Sequence, residues 1–167
     1  TRSVAVTGVQ TCALPISREL FWQDEWLCQR PVAELAALKG ERTRFEGTLG
    51  EFPGLAIDSA WLDLALSGEG RLGFGAVAEL VWQPGRLVLR RQNWQSGAWE
   101  ERAAPWLGGK ITVLCDSSSL ECFVDQGRHS LSARYFPGEK PQLSSGNGDD
   151  GCKICLDHWP LAACLVQ

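Results

Sequence analysis

Hydrophobic and polar residues alternate in short segments over most of the chain. Residues 61–67, WLDLALS, alternate with a period of two, which is typical of a half-buried β-strand. Similar short runs follow at 80–82, 87–91, 110–116, 120–125 and 129–136. Turn-forming residues separate them, and Gln83-Pro84-Gly85 predicts a hairpin turn because glycine can adopt a positive φ. With at least six strands and no long amphipathic helix among them, the pattern predicts an all-β antiparallel sandwich.

The segment before these strands has a different pattern. Leu20, Trp22 and Leu27 suggest a short hairpin around residues 23–25, and Pro31 stands where a short helix can begin. We therefore predict a hairpin and helix linker over residues 18–45, followed by the sandwich over residues 46–162. Near the other end, residues 142–151 are rich in Ser, Gly, Asn and Asp, which predicts an exposed loop before a last strand at 155–161.

The first seventeen residues do not read as part of a fold. Residues 6–16, VTGVQTCALPI, carry no charge and no helical or strand period. The string resembles the translation of a common sequencing adapter, and all eleven codons agree. We expect residues 1–17 to be adapter-derived and disordered, and we exclude them from fold reasoning. Since the chain contains no Met, even at position 1, we also expect it to be a fragment of a longer protein.

The amino-acid composition argues against two classes of binding partner. The formal net charge is -4, which argues against nucleic acid and anionic membranes, because phosphates are held mainly by Lys and Arg. No apolar run approaches the roughly 20 residues that span a bilayer. We therefore predict neither a nucleic-acid nor a membrane partner.

Two local motifs suggest cofactor or metal chemistry, and both are weak. The stretch at 68–73 fits GxGxxG, but a strand-like sequence follows where a phosphate-binding helix would have to begin. Cys152 and Cys155 have the spacing of half a zinc site, with His158 and Cys164 as further candidate ligands. They lack the paired loops of structural zinc sites, so we expect no metal and no cofactor. Reduced cysteines would suit the cytosol.

Eight tryptophans leave a carbohydrate-binding function open, because indole rings suit sugar faces. A free-standing lectin-like sandwich is therefore one candidate. The other reading is that several of these rings fill the core or a seam with a neighbouring domain.

One segment carries a specific resemblance. Residues 114–127, LCDSSSLECFVDQG, followed by HSLSARYFPGE, resemble the C-terminal sandwich of glycoside hydrolase family 32. The positions in register with that pattern are Asp116, Ser118, Ser119, Glu121, Phe123, Val124, Gly127, Leu131, Arg134, Phe136 and Pro137. Upstream, residues 18–20 and 29–35 resemble the connection that leaves the family's catalytic domain.

The resemblance implies that the chemistry lies outside this chain. The family hydrolyses the fructosyl bond of sucrose, sucrose 6-phosphate or fructans with retention, using a nucleophilic carboxylate and a general acid. Both groups belong to an N-terminal five-bladed propeller, on the motifs N-D-P-N-G, R-D-P and E-C-P, none of which occurs here. The resemblance thus implies an accessory domain of a cytoplasmic β-fructofuranosidase or sucrose-6-phosphate hydrolase, packed on the missing propeller and inactive alone.

The same resemblance singles out two residues in the strand at 120–125. The Glu121-Cys122 dipeptide echoes the family's acid motif, but Phe123 follows it instead of proline, so we expect no catalytic residue in this chain. Phe123 is expected to be an anchor of the sandwich core, because it opens the strongest apolar strand pair.

Overall fold

The computed structural model describes residues 18–137, 141–146 and 151–162. Two six-stranded antiparallel sheets pack face to face as a sandwich, and a separate two-stranded hairpin precedes them. Residues 1–17, for which an adapter origin is predicted, lie outside the described residues. The predicted all-β antiparallel sandwich is confirmed.

The strands and short helices follow one another closely along the chain. The hairpin comprises β1 (Arg18–Gln23) and β2 (Trp26–Pro31), and a 3₁₀ helix, Ala33–Leu38, connects it to the sandwich. The sandwich strands are β3 (Thr43–Thr48), β4 (Leu55–Ala56), β5 (Ala60–Leu66), β6 (Gly70–Phe74), β7 (Ala78–Gln83), β8 (Gly85–Gln92), β9 (Trp99–Trp106), β10 (Lys110–Asp116), β11 (Ser119–Val124), β12 (His129–Arg134), β13 (Gln142–Ser145) and β14 (Lys153–Pro160). Two further 3₁₀ turns lie at Leu49–Glu51 and Asp125–Gly127.

Strand order explains how the two sheets enclose one core. The first sheet runs β12-β11-β10-β5-β14-β3 and the second runs β4-β13-β6-β7-β8-β9. Alternate residues of each strand point inward, as Leu62, Leu64 and Leu66 of β5 do, and these side chains form a single buried cluster. Trp82 and Trp106 fill part of that cluster.

The predicted hairpin turn at residues 83–85 is confirmed, and two further turns are stabilised by their local chemistry. The β7–β8 hairpin closes at Pro84-Gly85, where Gly85 has a φ of 84°. In the β10–β11 turn, the Asp116 carboxylate accepts a hydrogen bond of 2.7 Å from the backbone amide of Ser117. Gly127 has a φ of 90° at the end of the β11–β12 connection, a conformation that only glycine adopts without strain.

The predicted exposed loop at 142–151 is wrong in its first part. Residues Gln142–Ser145 form β13, which pairs with both β4 and β6 inside the second sheet. Leu143 is completely buried there, and a single inward side chain is enough to fix the strand. The sequence did not indicate this strand, because Leu143 is flanked by two polar residues, Gln142 and Ser144, which lie on the exposed face.

The segment before the sandwich contains the predicted hairpin, but the boundaries of the elements differ from the prediction. The hairpin is present around residues 23–25, and the connection after it is a 3₁₀ helix without buried residues. β3 crosses the boundary that the sequence predicts between residues 45 and 46. The last strand, predicted at 155–161, spans Lys153–Pro160.

Candidate functional site

The N-terminal hairpin meets the outer face of the first sheet, and the buried carboxyl side chain of Glu121 lies at this junction. Within β11, Leu120, Cys122 and Val124 point into the sandwich core. The alternate residues Glu121 and Phe123 therefore point to the other face, toward the hairpin. Glu121 is only 2% exposed, so its carboxylate needs a partner.

Arg18 of β1 provides that partner. Its Nε donates a hydrogen bond of 3.0 Å to Glu121 Oε2, which makes a buried ion pair. The guanidinium also donates to Ser132 Oγ at 2.5 Å, to Gln29 Oε1 at 2.7 Å and to Ser130 Oγ at 3.2 Å. One arginine thus joins both hairpin strands to two strands of the sandwich.

A cavity of about 580 Å³ opens beside this network, between the hairpin and the sheet. Its lining includes Phe21 and Gln29 of the hairpin, Thr112 and Phe123 of the sheet, and Gly127 of the β11–β12 connection. A Cβ atom at Gly127 would overlap the backbone carbonyl of Gln29, so the hairpin backbone packs directly on this glycine. The hairpin and the sandwich are therefore in close contact at Gly127, and the cavity lies beside this contact.

Phe123 corrects one expectation. It is buried, with 5% exposure, but it does not belong to the core cluster between the sheets. The Arg18 guanidinium lies 5.5 Å from the centre of its ring. The physical reason is the strand period, since Cys122 and Val124 occupy the inward positions and leave Phe123 to the face under the hairpin.

A second contact ties the connection after the hairpin to the same outer face. Lys39 Nζ lies 3.6 Å from the ring centre of Trp61 and 4.0 Å from that of Trp159. Burial lowers the pKa of Lys39; the nearby Asp63 carboxylate opposes this effect and the Lys110 ammonium adds to it. The segment from Arg18 to Lys39 is thus attached to the sheet at both ends.

Asp63 carries another strongly paired carboxylate of this face. Burial opposes its ionisation, but hydrogen bonds from Lys110, Thr112 and Trp61 outweigh this effect and lower the pKa of Asp63. The Lys110 ammonium lies 2.8 Å from one carboxylate oxygen, and Thr112 Oγ1 donates to the other at 2.7 Å. The arrangement stabilises the ionised side chain.

The structure separates the candidate zinc ligands. Along β14, Cys155 lies on the outer face and His158 on the buried inner face, because they are three residues apart in a strand. Cys152 is buried, and its Sγ lies 2.8 Å from the backbone oxygen of Ser67. Cys164 lies outside the described residues. Among the residues that the structure describes, no three His, Cys, Asp or Glu side chains converge as metal ligands would.

The GxGxxG stretch forms part of the second sheet, and most of the tryptophans pack against other side chains. Gly68–Gly73 forms a turn and most of β6, and β7 follows in place of a phosphate-binding helix. A cation lies over the ring of five tryptophans, namely Trp26, Trp61, Trp94, Trp99 and Trp159. Trp22 is the most exposed aromatic residue of the described chain, at 71%.

The comparison with known families agrees with this geometry. A family model described as the C-terminal domain of glycosyl hydrolases family 32 matches residues 85–159, from the start of β8 to β14. Residues 85–159 belong to this family's C-terminal domain. The match covers the β10–β11–β12 unit that carries Glu121 and Phe123.

Curated relatives extend the family 32 similarity beyond the matched domain. The chain is 32% identical over 150 residues to a sucrose-6-phosphate hydrolase of Klebsiella pneumoniae, covering 90% of this chain and 31% of that protein. It is 34% identical over 157 residues to a sucrose-6-phosphate hydrolase of Salmonella typhimurium, again covering 90% and 31%. The chain thus spans about a third of the length of these relatives.

A solved structure supports the fold. The structure of sucrose-6-phosphate hydrolase from Lactobacillus gasseri superposes with a TM-score of 0.73 at 18% identity, over 93% of this chain and 37% of that one. At this identity the likeness concerns the fold. It extends over nearly the whole family 32 domain described above.

The contact that sequence reasoning missed is the one between Arg18 and Glu121. These residues lie 103 positions apart, and a single sequence contains no signal for such a pairing. The only hint was that Arg18 belongs to the upstream stretch that resembles the family's interdomain connection, while Glu121 belongs to the sandwich motif.

Proposed function

We propose that this chain is the accessory sandwich of a longer glycoside hydrolase that cleaves the fructosyl bond of sucrose or sucrose 6-phosphate with retention. The observation that carries the proposal is the unequal coverage of its relatives. Two sucrose-6-phosphate hydrolases match 90% of this chain but only 31% of their own length. The remaining part of such a protein would provide the propeller and both reacting carboxylates.

The geometry of Glu121 supports an accessory role. A retaining glycosidase needs two carboxyl groups about 5–5.5 Å apart across the scissile bond. Glu121 is buried under the hairpin, where its carboxylate accepts a charged hydrogen bond from the Arg18 guanidinium. A carboxylate fixed in this way joins the hairpin to the sheet.

The proposal extends to partner and location. The sandwich would pack on the preceding propeller and stabilise it, and the sugar would bind in the propeller. The intact protein would work in the cytoplasm, where the free Cys28, Cys115, Cys122, Cys152 and Cys155 stay reduced. None of the helices in the described ranges has the length and apolar character of a membrane span.

Enzyme assays test the proposal directly. The 167-residue chain should not hydrolyse sucrose or sucrose 6-phosphate, and the parent protein with its preceding domain should hydrolyse at least one of them. Glu121→Gln in the parent protein should leave kcat within about tenfold, whereas loss of a general acid costs about 10² or more. Turnover by the short chain that disappears with Glu121→Gln would refute the accessory role.

The lectin-like alternative makes a different prediction. A free-standing carbohydrate-binding sandwich would bind sucrose or a fructan on its own, and isothermal titration of the 167-residue chain would show saturable heat. We expect no saturable heat from this titration.

A further inference from the structure

β3 forms an open edge of the first sheet. It stands last in the order β12-β11-β10-β5-β14-β3, so it pairs with β14 on one side and with no strand of the described chain on the other. In an antiparallel pair, every second residue directs its amide and carbonyl away from the neighbouring strand. The outward groups of residues 43–47 can therefore bond a further strand.

The other edges of the described sandwich are less suited to pairing. β4 has only two residues, and β12 contacts β8 and β9 of the second sheet. β9 contains Pro105, which has no amide hydrogen, and the adjacent like charges of Glu100 and Glu101. β3 has six residues and no proline. It is therefore the edge best suited to accept another strand.

Two opposite charges flank Phe45 in β3. Phe45 packs against the core, so its neighbours Arg44 and Glu46 point to the outer face, where their side chains are 48% and 68% exposed. The Arg44 guanidinium lies 2.8 Å from a Glu46 carboxylate oxygen and 3.6 Å from the Asp157 carboxylate of β14. Glu46 lies beside the uncharged Cys155, and among the described residues its ion pair with Arg44 is its only one. Glu46 is therefore the charge of this edge with most to gain from a further cation.

The order Arg44-Phe45-Glu46 is complementary to itself in an antiparallel pair. A two-fold axis at Phe45 places Arg44 of one copy opposite Glu46 of the other, and the same symmetry places Glu46 opposite Arg44. Residues directly opposite each other have Cβ atoms about 4.5–5.5 Å apart, which is close enough for an ion pair. Four charges would then alternate around the axis, each with an opposite charge along its own strand and another across the interface.

We propose that β3 is a self-association edge, at which two copies of this chain pair antiparallel and join their first sheets into one continuous sheet. The charge order favours a second copy over an unrelated strand, because the copy necessarily carries the opposite charge at both positions. The contact involves one strand of each copy and is small, so the dimer should be weak and depend on concentration. The proposal is independent of the proposed function, since it rests on β3 alone.

Charge reversal at the edge tests the proposal through the oligomeric state. Sedimentation of the 167-residue chain over a range of concentrations should show reversible dimers. Arg44→Glu sets like charges against each other across the axis, and so does Glu46→Arg, so each variant should raise the Kd of the dimer at least about tenfold. An equal mixture of the two variants should form heterodimers, because an edge with two glutamates then faces an edge with two arginines. Heterodimers would also show that both variants are folded.

Two matched variants separate the order of the charges from the net charge. Arg44→Glu combined with Glu46→Arg keeps both signs at the edge, so this double variant should form dimers as the wild type does. Glu25→Arg changes the net charge as much as Glu46→Arg, but Glu25 is exposed in the hairpin turn, and its variant should leave the Kd unchanged.

Hydrogen exchange locates the contact without any mutation. The outward amides of β3 should exchange more slowly at concentrations at which dimers form, while the amides of the β9 edge should keep their rates. A chain that stays monomeric at millimolar concentration would overturn the proposal. Dimers that Glu46→Arg and Glu25→Arg weaken equally, or dimers in which β3 gains no protection, would also overturn it.

Discussion

Phe123 lies on the outer face of the first sheet, between the hairpin and the strands. Its ring is almost fully buried, but one side borders the cavity at the junction. Removing the ring would enlarge this cavity and expose the Arg18–Glu121 ion pair to water. The cost then comes from lost contact area together with a weakened polar network.

We expect Phe123→Ala to destabilise the chain by about 3 kcal/mol, the lower end of the range for large aromatic truncations. Chemical denaturation with urea measures the change. Phe136→Ala is the control, because Phe136 is 45% exposed and should cost less than about 1 kcal/mol. Equal effects of the two substitutions would contradict the buried position of Phe123.

Asp63 provides a prediction about acid stability. Its folded pKa lies below the ordinary value of 3.8, since the hydrogen bonds from Lys110, Thr112 and Trp61 outweigh the effect of burial. Its contribution is therefore complete above pH 3.8 and is lost as pH falls through the lowered folded pKa. Asp63→Asn should cost about 2 kcal/mol at pH 7, in the range for hydrogen bonds to a charged group.

The comparison of unfolding free energies at pH 7 and at pH 3 checks this prediction. The difference between wild type and Asp63→Asn should shrink at the lower pH. Glu25→Gln is the control, because Glu25 is exposed in the hairpin turn and should change stability little at either pH. A constant difference across the pH range would contradict the role of the ionised carboxylate.

At the level of elements, the docking of the hairpin depends on Gly127. Alanine there would meet two penalties, a positive φ and a clash with the backbone of Gln29. Alanine at Gly85 separates the two penalties, because Gly85 has a similar φ of 84° but open space where a Cβ would lie. Gly85→Ala should cost about 1 kcal/mol, and Gly127→Ala should cost at least about 1 kcal/mol more.

Hydrogen exchange shows where the additional cost arises. In Gly127→Ala the amides of β1 and β2 should exchange faster, while those of β5 and β10 keep their protection. If Gly127→Ala behaves like Gly85→Ala in both measurements, the hairpin does not rest on Gly127.

The elements also show which parts of the fold a sequence can predict. Strands with one buried face, such as β5, were predicted because their residues alternate. β11 has buried residues on both faces, Cys122 inside and Phe123 under the hairpin, so its period is lost and the facing of Phe123 was predicted wrongly. β9 was missed because it is an edge strand with exposed charges and Pro105, a composition that normally indicates a loop.

The junction was even less accessible to sequence reasoning. The hairpin, the glycine turn and the β10–β12 motif were each predicted, but their mutual contacts depend on the packing of distant segments. The sequence around Arg18 indicates no buried partner for it, and Glu121 was judged only by the two residues that follow it, Cys122 and Phe123. The tertiary fold alone joins the two residues.

At the scale of the whole molecule, the distribution of thiols has a practical consequence. Cys115 and Cys122 lie in the core between the sheets, Cys28 is fully buried in the hairpin, and Cys155 is partly exposed. Burial, with a smaller contribution from the Glu121 carboxylate, raises the pKa of Cys122 to about 12. Because only the thiolate reacts with alkylating reagents, the core thiols do not react in the native state.

Alkylation rates can therefore distinguish local opening of the hairpin from global unfolding. Among these four cysteines, we expect Cys155 to react with iodoacetamide first, Cys28 at the rate at which the hairpin detaches, and Cys115 and Cys122 only at the rate of global unfolding. Mass spectrometry of timed samples would resolve the three phases. If Cys28 reacts together with Cys122, the hairpin and the sandwich open as one cooperative unit, and the Arg18–Glu121 pair couples the stability of both.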